Sequence, residues 1–285
     1  MTGDLELVEA AIGTPPIARE AVRGAGYTST AAWRVETRAG PVFVKEASDR
    51  GGLAMLRREA LVYRRVSGSF LPALVGYADA GDRAVLAIEY LARAHWPPPY
   101  PDDVTPLFTA LEQVAAAEPP PELPAEGARP SHWQVVAADP EPFLELGLCT
   151  REWLEASIDT LVAFEARAPF EGEALVHNDV YSGNVCFSVG NAMLVDWGAA
   201  VRGSEWVDVA FALLSLRVEG AAVPEVEFPF AGPFAAALSG HFAVEAPAPL
   251  PAWAEPGSTL RQDMAGDLAH ALGWAVETVG LPPLT

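Results

Sequence analysis

The sequence predicts an α+β chain in two lobes: a small β-rich lobe over residues 1–91 and a larger, mainly helical lobe over residues 92–285. Strand-type alternation and tight turns dominate residues 31–91, broken by one helical stretch. Helical spacing of apolar residues dominates the remainder. With 285 residues, 51% of them hydrophobic, the chain can bury a core without disulfides or structural metals.

Each element has its own signal. In residues 31–47, Trp33, Val35 and Thr37 alternate with Arg34, Glu36 and Arg38. The turn Arg38-Ala39-Gly40-Pro41 then leads into Val42, Phe43, Val44 and Lys45, so two strands are predicted. After Gly51-Gly52, Leu53, Leu56, Ala60, Tyr63 and Val66 recur at helical spacing, with Arg57, Arg58, Arg64 and Arg65 on the other faces. Residues 74–91 read as two more strands around a Gly81-Asp82 turn. The lobe boundary falls in Leu91–Pro97. Beyond it, residues 104–117 are helical, and the Pro-rich residues 119–142 read as a long loop. Thr150 caps a helix running to Arg167. Short strands are expected at 174–176 and 192–195, a helix at 204–217, Pro-rich turns over 223–256, and a last helix from Ser258 to Thr278, with Gly280 and Pro282 as stop signals.

The composition excludes several classes of function. The net charge of −20 argues against a nucleic-acid surface, which needs basic residues to displace counterions. That charge permits attraction of a cationic ligand, and it also serves solubility. Cys149 and Cys186 form no disulfide framework and no zinc-type spacing, which fits a reduced, cytoplasmic compartment. Met1 to Glu9 is acidic and mixed, unlike a signal peptide, and no apolar run is long enough to span a bilayer. A monomer or homodimer with a small-molecule partner, and no membrane or nucleic acid, is expected.

Two compositional oddities point to the chemistry. All but one of the 18 basic residues are arginine, and the exception is Lys45. A chain that uses arginine everywhere else keeps lysine where a compact ammonium is needed. The three asparagines, Asn178, Asn184 and Asn191, all fall within one stretch of 14 residues. That stretch overlaps His177-Asn178-Asp179-Val180-Tyr181-Ser182-Gly183-Asn184, and 17 positions after Asp179 comes Asp196-Trp197-Gly198.

These residues resemble the aminoglycoside phosphotransferase family, the small-molecule branch of the protein-kinase-like fold. The family pattern is His-Gly-Asp, four residues, Asn, then a strand ending in Asp with Gly two places later; Asp179, Asn184, Asp196 and Gly198 match it. Asn178 departs from the usual Gly, as it often does in choline and ethanolamine kinases. The resemblance implies a nucleotide-binding lobe over 1–91 and a catalytic, substrate-binding lobe over 92–285. It implies ATP, with GTP as the alternative donor, and Mg²⁺ as cofactor. Asp179 would orient and deprotonate the acceptor hydroxyl, while Asn184 and Asp196 would hold the metal through hard oxygens. Lys45 would bind the phosphates, positioned by Glu59, 14 residues further on. Gly24-Ala25-Gly26 with the Ser29 or Thr30 hydroxyl would lie over the phosphates, and backbone groups at Glu89 and Leu91 would meet the base. His177 would support the loop, and Asp208 would lie buried beneath it.

The acceptor is less defined. Glu205, Glu155, Asp159, Asp263 and Asp267 are the acidic candidates for a cationic substrate such as an aminoglycoside. Asp263 and Asp267 share one helix face, but in the first half of a helix they also suit its dipole, and that is the reading preferred here. His95-Trp96 and the tryptophans at 133, 206, 253 and 274 leave an aromatic cage for choline open. The alternatives are a kinase for choline, ethanolamine, a sugar or an amino sugar, and a catalytically inactive kinase-like binding protein.

Overall fold

The computed structural model describes residues 2–22, 30–127, 129–188, 190–251, 254 and 257–284, with side chains from residue 6 onward. The chain opens with helix α1 (Thr2–Ile12) and strands β1 (Ala18–Ala21), β2 (Ala31–Thr37) and β3 (Gly40–Ala47). Helix α2 (Arg50–Arg65) and strands β4 (Leu74–Asp79) and β5 (Ala84–Glu89) complete the N-terminal part. The strands form one antiparallel sheet in the order β1-β2-β3-β5-β4. The predicted strand pairs and the single crossing helix are present. Helix α1 and strand β1 were not anticipated, because neither carries strong alternation or capping.

The two faces of this sheet have different jobs. Val35, Val44, Val85 and Ala87 pack with Val8 and Ala11 of α1. Helix α1 comes so close that a Cβ on Gly76 would lie 2.0 Å from the Ala11 carbonyl oxygen, so the contact requires glycine there. Phe43, Ala47, Leu86 and Ile88 face the other way, toward Leu53, Leu56 and Ala60 of α2. Alternation therefore puts Lys45, two residues from Phe43 and from Ala47, on the α2 face. Asp49 caps α2 by accepting the N–H groups of Gly51 (2.9 Å) and Gly52 (3.0 Å).

The C-terminal part contains α3 (Val104–Ala116), α4 (His132–Ala138), α5 (Glu141–Leu144) and α6 (Arg151–Glu165). Strand β6 (Ala174–Val176), the hairpin β7 (Val185–Ser188) and β8 (Asn191–Leu194), and strand β9 (Val201–Gly203) follow. Helices α7 (Trp206–Val218), α8 (Ala231–Glu245) and α9 (Leu260–Val279) close the chain. The helices share a core that includes Trp133, Trp153, Leu161, Phe234, Leu268 and Trp274. Gly280 ends α9 in the left-handed conformation, as its position predicted (φ 78°).

Two expectations are corrected. Residues 119–142 hold α4 and α5 instead of a continuous loop, and residues 223–256 hold the central helix α8 instead of turns. Proline misled in both places. Pro233 sits in the first turn of α8, where its missing N–H costs nothing. Ser131 caps α4, accepting the N–H of Gln134 at 3.3 Å. Helix α8 lacks an apolar stripe because it is buried almost all round. Trp133 of α4 is completely buried, with its indole N–H donated to the Ala236 carbonyl of α8 at 2.8 Å. Replacing Trp133 with Ala is expected to cost about 3–5 kcal/mol in urea unfolding.

Candidate active site

Helix α2 turns Glu59 inward among Leu56, Ala60 and Tyr63, leaving it 2% exposed. There it meets Lys45, whose Nζ lies 3.1 and 3.0 Å from the two carboxylate oxygens. The same ammonium lies 3.0 Å from Asp196 Oδ1. Burial works against charge on Lys45, yet Asp196 and Glu59 together outweigh it and hold the ammonium above its ordinary range. Burial likewise opposes the Asp196 charge, but Lys45 prevails and keeps that carboxyl below the usual carboxylate range. The ion pair spans the N-terminal sheet, its helix and the turn after β8.

The Asp-bearing loop leaves β6, which pairs with β9. His177 is fully buried, and its Nε2–H is donated to the Val195 carbonyl at 2.9 Å. Burial pushes its pKa down to about 4, so it stays neutral and structural. Asp208, in the first turn of α7, accepts the backbone N–H groups of His177 (2.7 Å) and Asn178 (2.8 Å) from beneath. Asn178 and Asp196 both have left-handed backbones, with φ of 65° and 64°. Asparagine tolerates that region better than most residues, which explains how it can stand where the family usually has glycine. A Cβ on Gly198 would approach Met55 Cβ to 3.1 Å, so the turn after Asp196 is tightly packed.

Asn184 Nδ2 donates to Asp179 Oδ2 at 2.9 Å and to the Asp179 carbonyl at 3.0 Å. Both amide hydrogens are thereby used, and Asn184 Oδ1 has no hydrogen-bond partner among the described residues. Burial, reinforced by Asp196, pushes the Asp179 carboxyl up to about 7. A carboxylate at 196 and an amide oxygen at 184 are hard donors. They suit Mg²⁺, which binds through one or two protein oxygens and takes the rest from water and phosphates.

Asp179 and Asp196 line a cavity of about 400 Å³ to which α7, α8 and α9 also contribute walls. Asp263 and Asp267 line it, and Asp263 also lies in the first turn of α9, where it suits the helix dipole. Asp263 also accepts the Thr259 hydroxyl at 2.6 Å. Glu205, Glu155 and Asp159 do not line the cavity. Nor do the described tryptophans: Trp133 and Trp274 are core, and Trp206 packs on Phe228 and Phe230. The aromatic residues that do line it are Tyr181, Phe211 and Phe242. Arg129 and His241 line it as well, and neither carries a sequence signal, since both sit in segments that read as loops or turns.

The remaining expected contacts are less complete. Ser29, the Gly24-Ala25-Gly26 segment and Trp253 lie outside the described residues. Thr30 is described; its Oγ1 lies 3.2 Å from where a Cβ on Gly52 would be, at the start of α2. Glu89 ends β5 and donates its N–H to the Ala73 carbonyl at 2.8 Å. Leu91 follows in the connector, its carbonyl accepting the Ala94 N–H at 3.2 Å.

An antiparallel sheet above, a helical body below and opposed charges at their junction are the layout of a kinase-like fold, and this chain falls in that class. Residues 21–250 match the family model described as phosphotransferase enzyme family, and the chain belongs to that family. Its enzymes move phosphoryl groups to small molecules. Among solved structures, spectinomycin phosphotransferase APH(9)-Ia, in complex with ADP and spectinomycin, is similar with a TM-score of 0.64 and 11% identity over 98% of both chains. Aminoglycoside phosphotransferase APH(4)-Ia gives a TM-score of 0.58 and 17% identity, again over 98% of both chains. A thermostable mutant of APH(4)-Ia, in a ternary complex with ADP and hygromycin B, gives 0.55 and 16% over 97% of both. These likenesses establish the fold. No curated protein matches the sequence. Among the described residues, no helix is long and apolar enough to cross a membrane.

Proposed function

We propose that the protein is an ATP- and Mg²⁺-dependent O-phosphotransferase that acts on a hydroxyl of a cationic small molecule of aminoglycoside type. The observations that carry this reading are the contact of Lys45 with both Glu59 and Asp196, the hydrogen-bonded Asp179–Asn184 pair, and the one cavity that Asp179 and Asp196 both line. Lys45, preorganised by Glu59, holds the α- and β-phosphates of the donor. Glu89 and Leu91 offer backbone groups to the base, and Thr30 a hydroxyl on the phosphate side. Asn184 Oδ1 and Asp196 are the metal-holding oxygens; Mg²⁺ bound there supplies charge neutralisation at the phosphate oxygens. Asp179 would align the acceptor hydroxyl and accept its proton as the acceptor oxygen bonds to the γ-phosphorus and the bond from that phosphorus to the β-phosphate oxygen breaks, with ADP as the leaving group. The ADP and antibiotic bound in two of the similar structures, with spectinomycin in one and hygromycin B in the other, agree with this reading.

The part of the cavity lined by α7, α8 and α9 sets the acceptor's chemistry. Asp263 and Asp267 offer negative charge, while Phe211, Leu214 and Phe242 offer an apolar surface. Burial, helped by Asp263 and Glu219, pushes the Asp267 carboxyl up to about 6. The carboxylate that pairs with an ammonium therefore exists above that pH and is lost below it. The acceptor KM should rise as pH falls from 7 to 5, by up to about tenfold per pH unit. In D267N it should be high and flat over the same range. The test of the assignment itself is a phosphate-transfer screen over aminoglycosides, amino alcohols and sugars with ATP and Mg²⁺. Transfer only to uncharged sugars, or to choline alone, would overturn the acceptor class.

A further inference from the structure

We propose that Arg129 is a positioning residue for Asp179, acting through Asn178. The inference rests on the catalytic assignment of Asp179 made above. Residues 123–126 are fastened to the sheet that carries the Asp-bearing loop. The Glu126 N–H is donated to the Arg202 carbonyl of β9 at 2.6 Å, and the Arg202 N–H to the Pro124 carbonyl at 2.9 Å. Arg129 projects from the end of this anchored segment. Its guanidinium is held on three sides: by the two Glu126 oxygens at 3.2 and 3.0 Å, by the Phe170 ring with 4.2 Å to the centroid, and by Asn178 Oδ1 at 2.9 Å. Nε and one terminal nitrogen grip Glu126 in a planar, two-pronged pairing while that same nitrogen reaches Asn178, a geometry that lysine cannot reproduce.

Asn178 is the residue that benefits. It stands in the left-handed region immediately before Asp179, which asparagine tolerates better than most residues but less freely than glycine, so its surroundings help to hold it there. Its backbone N–H is tied to Asp208, its Oδ1 to Arg129, and its Nδ2 makes a long 3.5 Å contact to the Ala199 carbonyl. Ala199 lies three residues after Asp196. The Asn178 side chain therefore links the Arg129 segment, the loop bearing Asp179 and the turn bearing Asp196. Asp208 holds the backbone of Asn178 from α7, but Arg129 makes the one contact to its side chain from outside those two loops; removing the guanidinium frees that side chain, and Asp179 loses its alignment with the donor.

The test is a comparison of R129M in two backgrounds. Glycine adopts the left-handed conformation without help, so N178G removes both the need for Arg129 and its acceptor atom. In the native background, R129M should lower kcat about 30-fold, the scale produced by a misplacement of under about 1 Å, with the KM for ATP changed less than about twofold. In the N178G background the same substitution should change kcat less than about threefold. An unchanged kcat in R129M overturns the proposal. So does an equal loss in both backgrounds, or a rise confined to the acceptor KM, since either makes Arg129 a direct contact to substrate. If R129M does not fold, R129K, which keeps the charge against Glu126 but not the fork, carries the same comparison. Hydrogen exchange of the amides in residues 177–184 needs no turnover. It should quicken at least about tenfold in R129M and be insensitive to R129M in the N178G background; unchanged exchange overturns the proposal. Absence of phosphotransfer in the unmodified protein would instead overturn the functional assignment, and exchange would still decide the role of Arg129.

Discussion

Asp179→Asn is expected to abolish phosphotransfer and to stabilise the protein. The amide keeps the shape and still accepts from Asn184 Nδ2, which sits 2.9 Å from Asp179 Oδ2, so the loop keeps its geometry. What disappears is the group that takes the hydroxyl's proton. The turnover rate should fall about 10³-fold or more, the upper range for loss of a positioned general base, while ATP binds as before. The gain in stability has a separate cause. Burial and the neighbouring Asp196 push the Asp179 carboxyl up to about 7, above the 3.8 of an unperturbed aspartate. The folded state therefore binds this proton more tightly than the unfolded state, and the stability contributed by the group is lost as pH rises from about 4 through 7. At pH 8 the native protein bears the whole penalty and D179N does not, so its Tm should be higher by about 2–5 °C. Calorimetry and a coupled kinase assay on the same preparation check both halves. A variant that is inactive and also less stable would mean that the substitution disturbed the loop.

Asp196→Ala has a different signature. Lys45 retains Glu59, whose oxygens are 3.1 and 3.0 Å away, so the N-terminal ion pair survives. The carboxylate proposed to hold the metal is gone, leaving Asn184 as the only protein oxygen assigned to it. Turnover should fall about 10³-fold or more, in line with several kcal/mol of lost charge stabilisation in the transition state. Titration calorimetry separates this variant from D179N. The native protein and D179N should bind ATP more tightly with Mg²⁺ than with a chelator. In D196A the two affinities should converge. Mg²⁺-dependent binding undiminished in D196A would remove Asp196 from the metal site.

The parts of this protein that were legible in the sequence are those in which local chemistry alone decides the structure. Strands β2, β3 and β5 announce themselves by alternation or by an apolar run, and α2 by its stripe. Lys45 stands out because the chain spends its only lysine there. The spacing of Asp179, Asn184 and Asp196 could be read directly; in the structure Asn184 bonds Asp179, and Asp196 meets Lys45. What could not be read depends on distant packing. Helix α8 is buried all round, so it shows no stripe, and its proline hides its start. Arg129 sits in a segment with no periodicity, and only the fold carries its guanidinium to Asn178. Asp263 and Asp267 were visible as a pair on one face, but whether that face met solvent, the dipole or a cavity was set by how α9 packs against α7 and α8.

The central claim is that a single cleft joins the donor phosphates, the metal and the proton-accepting carboxylate. A crystal structure with a non-hydrolysable ATP analogue and Mg²⁺ tests it most directly. The account predicts the metal on Asn184 Oδ1 and Asp196 at about 2.1 Å, Lys45 on the phosphates, and the terminal phosphate facing Asp179 across the mouth of the cavity. A nucleotide seated elsewhere, with Lys45 and Asp196 still paired only to each other and to Glu59, would contradict it.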